Sequence, residues 1–136
     1  MPVLRLAHAN IRTPDLEETV RFFEAALDLR RGPALTTIDQ HRYAWLYDRN
    51  GIAVIHVNAP HEDEPPRAAG LENRLDHIAF DCVDPEGFAD RLRAAAMLFE
   101  VVHSETGGFV QYNLRDPNGI KVELTFAPDQ APALPD

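Results

Sequence analysis

Asn113-Leu114-Arg115-Asp116-Pro117-Asn118-Gly119-Ile120-Lys121-Val122-Glu123-Leu124-Thr125-Phe126 reads as the end of one strand, a tight turn and a second strand. Asp116 and Pro117 lead the turn and Asn118-Gly119 closes it, residue types that tolerate the bent and left-handed backbone a turn demands. Past the turn, Ile120, Val122, Leu124 and Phe126 share one strand face. Glu123 falls on the other face, in mid-strand, where a carboxylate needs solvent or a positive partner. A metal ion is the partner expected here.

The same turn stands earlier in the chain. Leu46-X-Asp48-X-Asn50-Gly51-Ile52 matches Leu114-X-Asp116-X-Asn118-Gly119-Ile120, and Leu6-X-His8 is matched by Leu75-X-His77. A repeat of this length points to two modules of one design.

In the first half, residues 3 to 11 read as a strand with Leu4, Leu6, His8 and Asn10 on one face and Val3, Ala7, Ala9 and Ile11 on the other. Thr13-Pro14-Asp15 then starts a helix, with Thr13 as N-cap, Pro14 in the first turn and Asp15, Glu17 and Glu18 at the positive end of the dipole. Leu16, Val20, Phe23 and Leu27 form its buried stripe, and the helix is expected to end near Arg30 to Gly32. Strands follow at Ala34 to Ile38, Arg42 to Tyr47 and Ile52 to Val57.

Residues 59 to 73, charged and carrying Pro60, Pro65 and Pro66, read as a connecting arm. The programme then restarts: a strand from Leu75 to Val83, a helix from Asp84-Pro85-Glu86 with Phe88, Leu92, Ala95 and Phe99 at helical spacing, and strands at Glu100 to Ser104, Phe109 to Arg115 and Ile120 to Phe126. Residues 127 to 136 read as a tail. The expected fold is therefore α+β, two βαβββ modules (residues 1–58 and 74–126) forming a concave, partly closed mixed sheet around a metal cavity. Neither module is large enough to bury a full core alone, so one structural domain is expected overall.

The totals narrow the function. With 22 acidic against 13 basic side chains the formal net charge is -9, which argues against nucleic acid or an anionic membrane as partner. No apolar run approaches the length of a membrane span, and Met1-Pro2-Val3-Leu4-Arg5 lacks the features of a signal peptide, so a cytoplasmic location is expected. The one cysteine, Cys82, excludes an intrachain disulfide and suits a reducing compartment.

If Ile78, Phe80 and Cys82 face the helix of the second module, His77 and Glu123 point away from it, and by the repeat His8 does the same in the first. A lone strand histidine is more often a satisfied structural residue than a ligand. Two imidazoles and a carboxylate converging from three strands, however, make a divalent-metal site with open positions. His56 is a fourth candidate. The ungapped repeat aligns Ile55, not His56, with Glu123, so an inward His56 needs one residue of difference in the hairpin, and both faces of its strand are apolar. Burying an imidazole against a helix is costly, which favours the inward register. His41, His61 and His103 are expected at the surface. Tyr43, Trp45 and Tyr47 alternate with Ala44 and Leu46 and either line the cavity or pack in the core. The repeat places Gln111 and Asn113 on the cavity side of the seventh strand.

These motifs carry a resemblance. The paired βαβββ plan, the Leu-Asp-His77-Ile-Ala-Phe strand and the Arg-Asp116-Pro117-Asn118-Gly119-X-X-X-Glu123-Leu ending resemble the vicinal oxygen chelate superfamily, which groups glyoxalases, bleomycin-resistance proteins and extradiol dioxygenases. The resemblance implies that His8, His77 and Glu123 are metal ligands and that the position of His56 supplies a fourth. It implies one divalent ion (Fe2+, Zn2+, Mn2+, Ni2+ or Co2+), a small-molecule substrate bound through neighbouring oxygens, and a homodimer. His56 and Glu123 would be the catalytic residues, with Tyr43, Trp45, Tyr47, Gln111 and Asn113 binding substrate. Where His56 stands, glyoxalase I enzymes carry Glu or Gln; where Asn113 stands, extradiol dioxygenases usually carry Tyr; bleomycin-binding members generally lack the metal set. Isomerase, epimerase or lyase chemistry therefore ranks first, Fe(II) ring-cleavage dioxygenase chemistry second and non-catalytic binding third.

Overall fold

Asp48 and Asp116 turn the chain with the same set of bonds. In the computed structural model, which describes residues 1–34, 39–69, 74–104 and 107–129, Asp48 Oδ1 accepts the backbone N–H of Asn50 at 2.9 Å and of Ile52 at 3.0 Å. Asp116 Oδ1 accepts those of Asn118 at 2.9 Å and Ile120 at 2.8 Å. Gly51 and Gly119 close the two turns at φ 76° and 78°, a left-handed backbone that a Cβ would oppose.

Around these turns the chain forms two units, Met1–Arg67 and Ala68–Asp136. The first contains β1 (Ala9–Arg12), α1 (Leu16–Leu27), β2 (Arg30–Gly32), β3 (Tyr43–Tyr47) and β4 (Ala53–Asn58). The second contains β5 (His77–Cys82), α2 (Pro85–Ala94), β6 (Glu100–His103), β7 (Val110–Arg115) and β8 (Lys121–Phe126). Each unit is one open, four-stranded mixed sheet with one helix. The strand orders are β1-β4-β3-β2 and β5-β8-β7-β6, with the outer pairs β1·β4 and β5·β8 parallel and the rest antiparallel. This α+β arrangement, with neither sheet closed into a barrel, is the duplicated βαβββ plan that the repeat implies.

The cores follow the apolar stripes. Leu16, Val20, Phe23 and Leu27 of α1 are buried, as are Ala44, Leu46, Ile55 and Val57 on the strands against which α1 packs. In the second unit Leu92 of α2 and Val110, Tyr112, Leu114, Val122, Leu124 and Phe126 are buried, with the Phe88 and Phe126 rings 5.7 Å apart edge to face. Each large apolar side chain so buried contributes about 1.5–3 kcal/mol. The face away from the helix carries Tyr43, Trp45, Tyr47 and His56 in the first sheet and Gln111, Asn113, Glu123 and Thr125 in the second.

The largest differences from the expected boundaries lie at the first strand, at both ends of α1 and at the end of α2. The first strand begins at Ala9 rather than Val3, and Leu4 and Leu6 are exposed. Its ladder starts at Ala9 opposite Ile55, and one step earlier His8 would meet Val54, where β4 carries an extra residue that interrupts pairing. Helix α1 is capped at Asp15, not Thr13; the Thr13 hydroxyl accepts the Asp15 N–H at 3.0 Å and bends the chain into the helix. The helix stops at Leu27 because Asp28 turns left-handed at φ 56° and bonds back to the Phe23 carbonyl. Arg30–Gly32, expected as the helix end, is instead β2; of the strand expected at 34–38, residues 35–38 lie outside the described residues. In the second unit α2 starts as expected, with the Asp84 carboxylate accepting the Gly87 N–H at 3.0 Å. It ends at Ala94, so Phe99 lies beyond it and packs on Tyr112 at 5.1 Å.

Candidate metal centre

One residue of register decides what His56 faces. Beside the first turn Tyr47 pairs with Ala53, but Leu46 pairs with Ile55 and Trp45 with His56, so one extra residue is accommodated in β4. Beside the second turn the ladder runs without a break: Arg115 with Lys121, Leu114 with Val122, Asn113 with Glu123. The bulge thus moves His56 into the place that Glu123 holds in the other unit. Ile55 and Val57 go to the α1 side and are buried, while His56 shares the opposite face with Tyr43, Trp45 and Tyr47, all half-buried.

On that face His56 lies against two rings. Its centroid is 3.8 Å from that of His8, with 9° between planes, and 4.0 Å from that of Trp45, with 11° between planes. Burial pushes the His56 pKa down, and the neighbouring His8 charge adds to that shift against a backbone hydrogen bond at Ala53. The shift favours the uncharged imidazole of His56, the form in which histidine binds a metal.

In the second unit β5 and β8 bring His77 and Glu123 together, Nε2 to Oε2 at 3.5 Å. Neighbouring ligands of one ion with bonds of about 2.1 Å stand roughly 3.0–3.4 Å apart. The other His77 nitrogen, Nδ1, is held by Asp76 Oδ2 at 2.7 Å, and Lys121 Nζ lies 3.7 Å from the same oxygen. His77 first, then the Lys121 charge, hold the Asp76 carboxyl below its usual value. A carboxylate on the far nitrogen is the usual support of a metal-binding histidine, because it fixes ring and tautomer.

Glu123 is 9% exposed, and its Oε1 accepts from Gln111 Nε2 at 2.6 Å and Thr125 Oγ1 at 3.3 Å. Asn113, directly opposite Glu123 in the ladder, has its Oδ1 buried without a hydrogen-bond partner among the described residues. A half-satisfied carboxylate, an unmet amide oxygen and a pre-oriented imidazole fit a cation. The site residues thus fall into two pairs, His8 with His56 and His77 with Glu123, one pair in each unit. Among the described residues no group of three or more His, Cys, Asp or Glu side chains is gathered to hold a metal ion.

His41, His61 and His103 are exposed. Tyr47 is set apart from Tyr43 and Trp45 by its hydroxyl, which donates to the Pro33 carbonyl at 2.6 Å. Cys82 is half-buried, and desolvation, with the Asp81 charge behind it, pushes its thiol up to about 12. Asp76 and Thr125 were missed in the sequence reading. The Asp76-His77 dipeptide was the available signal for the first; nothing in the chain marks Thr125.

A family model of the Glyoxalase/Bleomycin resistance protein/Dioxygenase superfamily matches residues 5–124, most of the chain and all four candidate ligands. The chain belongs to this superfamily. Among glyoxalase-related sequences, Glyoxylase I 4 of Arabidopsis thaliana is 24% identical over 135 residues, 96% of this chain and 74% of that protein. Among solved structures, a glyoxalase/dioxygenase from Nostoc punctiforme superposes with a TM-score of 0.70 at 18% identity, covering 92% of each chain. A lactoylglutathione lyase from Agrobacterium tumefaciens superposes at 0.64 and 17% identity, covering 93% of this chain and 96% of its own. At these identities the superpositions establish a shared glyoxalase-type fold. In this chain the duplicated hairpin fixes which residue of β4 and of β8 faces away from the helix.

Proposed function

We propose that this chain is a metal-dependent enzyme that binds a small organic substrate through two neighbouring oxygens, with His8, His56, His77 and Glu123 holding one divalent cation. The observation that carries the reading is the His77–Glu123 pair at 3.5 Å with Asp76 fixing the remote imidazole nitrogen. Bound there, the ion would supply Lewis-acid stabilisation of negative charge developing on substrate oxygen. Gln111 keeps Glu123 oriented. The free Asn113 Oδ1 accepts a substrate hydroxyl, and Tyr43, Trp45 and Tyr47 give an apolar wall that excludes water. His56, its pKa lowered by burial, is the fourth ligand or a general base for a substrate proton.

Isomerase, epimerase or lyase chemistry of the glyoxalase type fits four protein ligands around an ion that never changes oxidation state. A second reading, Fe(II) ring-cleavage dioxygenase, is favoured by one feature: two histidines and a carboxylate are the ligand types of the non-haem iron triad. Exposed Leu4, Leu6 and Leu75, at 90%, 86% and 73%, support a homodimer that covers them. A lone half-buried thiol suits the reducing cytoplasm.

Elemental analysis after dialysis against each of Zn2+, Mn2+, Ni2+, Co2+ and anaerobic Fe2+ tests the metal. Uptake of one ion per chain is expected, and no uptake of any of them would leave a binding protein without metal chemistry. Anaerobic Fe(II) loading followed by oxygen uptake on a catechol panel separates the reactions: brisk uptake would replace the first reading with the second.

A further inference from the structure

A cavity of about 580 Å3 lies in the first unit, away from the ring stack and lined by Asp28, Arg30, Arg31, Tyr47, Asp48 and Arg49 with the glycines beside them. That volume lies in the range of small-molecule sites, roughly 300–1,000 Å3. Its charges are unequally engaged. Arg31 is paired with Glu17 at 2.9 Å, and the Asp48 carboxylate accepts two backbone N–H groups of its own turn. The guanidiniums of Arg30 and Arg49 have no hydrogen-bond or ion-pair partner among the described residues. The lining thus sets Arg30, Arg31 and Arg49 against Asp28 and Asp48, a local excess of positive charge in a chain of net charge -9.

The wall between them is fixed. A Cβ at Gly32 would come within 2.6 Å of the Tyr47 ring, so the absence of a side chain there lets the ring lie across β2, and the Tyr47 hydroxyl is tied to the Pro33 carbonyl. Arg30 pairs with Tyr47 across β2 and β3, which puts both on the sheet face that carries Trp45 and His56. Trp45 is two residues along β3 from Tyr47, about 6.6 Å at the rise of an extended strand.

We propose that this cavity is an anion-binding site for a phosphate or carboxylate carried on a flat apolar body, with Arg30 and Arg49 taking the anion and Tyr47 the body. Guanidinium pairs bind such planar or tetrahedral anions through forked hydrogen bonds. Where the metal reading holds, on which this extension rests, the anion is the far end of the substrate and its body runs along Tyr47 towards Trp45 and His56.

The test is isothermal titration of the full chain with phenyl phosphate, benzoate and neutral phenol, alongside emission from Trp45, the single tryptophan. Phenyl phosphate or benzoate should bind saturably and change the Trp45 emission. The Arg30→Met/Arg49→Met variant should lose at least tenfold in affinity, Arg93→Met should bind as the parent does, and phenol should give neither signal. The stronger of the two anions identifies the head group. Absence of saturable binding, equal binding by phenol, or unchanged affinity in the double variant overturns the proposal. Metal content measured on the same preparation keeps the two readings apart: anion binding by a chain that takes up no metal removes the substrate extension and leaves the anion site.

Discussion

Glu123 shows how much one side chain can inherit from its neighbours. Nearly buried, it is held by Gln111 at 2.6 Å and faces His77 at 3.5 Å, and each contact depends on the strand register that the Asp116 turn sets. Hydrogen bonds to a charged group are worth about 1.5–3 kcal/mol, so Gln111 strongly restricts the carboxylate. Asp76 does the same for His77 from solvent. Asp76→Ala should therefore weaken metal affinity by about 10–100-fold while the fold is kept, as measured by competition with a chromophoric chelator. Equal affinity in variant and parent would mean that the imidazole needs no outer support. The Asp116 carboxyl makes a separate prediction. Burial lifts its pKa above the usual 3.8, against opposing hydrogen bonds from Asn118 and Ile120. A raised folded-state pKa means that the native protein holds this proton more tightly than the unfolded chain. Its contribution is full below 3.8 and is lost as pH rises through the folded value. Asp116→Asn, which retains an acceptor for the turn, should lack that fall in urea-denaturation stability across the window. A pH profile identical to the parent would remove Asp116 as its source.

At the scale of elements, the β4 bulge separates what the two modules present. It lets one hairpin design deliver an imidazole in the first unit and a carboxylate in the second. Deleting Val54 should remove the extra residue and leave His56 opposite Trp45, as Glu123 is opposite Asn113. The variant is expected to take up metal as the parent does, read by the same chelator competition, whereas loss of uptake with native circular dichroism would show that the bulge itself shapes the site. The turns, both sheets and most strand positions were legible because Asp, Asn and Gly recur at fixed offsets and apolar residues alternate clearly. His56 was not settled, because Val54 and Ile55 make both faces of β4 apolar and a bulge has no sequence signature there. Arg30–Gly32 was missed as a strand for a related reason: two arginines and a glycine carry no alternation, and the left-handed Asp28 that ends α1 is an ordinary residue in sequence.

At the scale of the whole chain, the duplication explains why the candidate site is divided evenly. Each unit repeats the same strand order and contains two of the four proposed ligands, His8 standing one residue before β1 and the other three on strands. The family match spans both units, so the superfamily's fold is established, while the proposed chemistry requires the four side chains to act together. That was the part least legible in sequence, since spacing can place a residue on a face but does not show which side chains share one ion. The most direct test is a crystal of the metal-loaded protein measured at the absorption edge of the added ion. The account predicts one anomalous peak per chain within bonding distance of His8, His56, His77 and Glu123. A peak held by only one of the two pairs, or none at these residues, would contradict it.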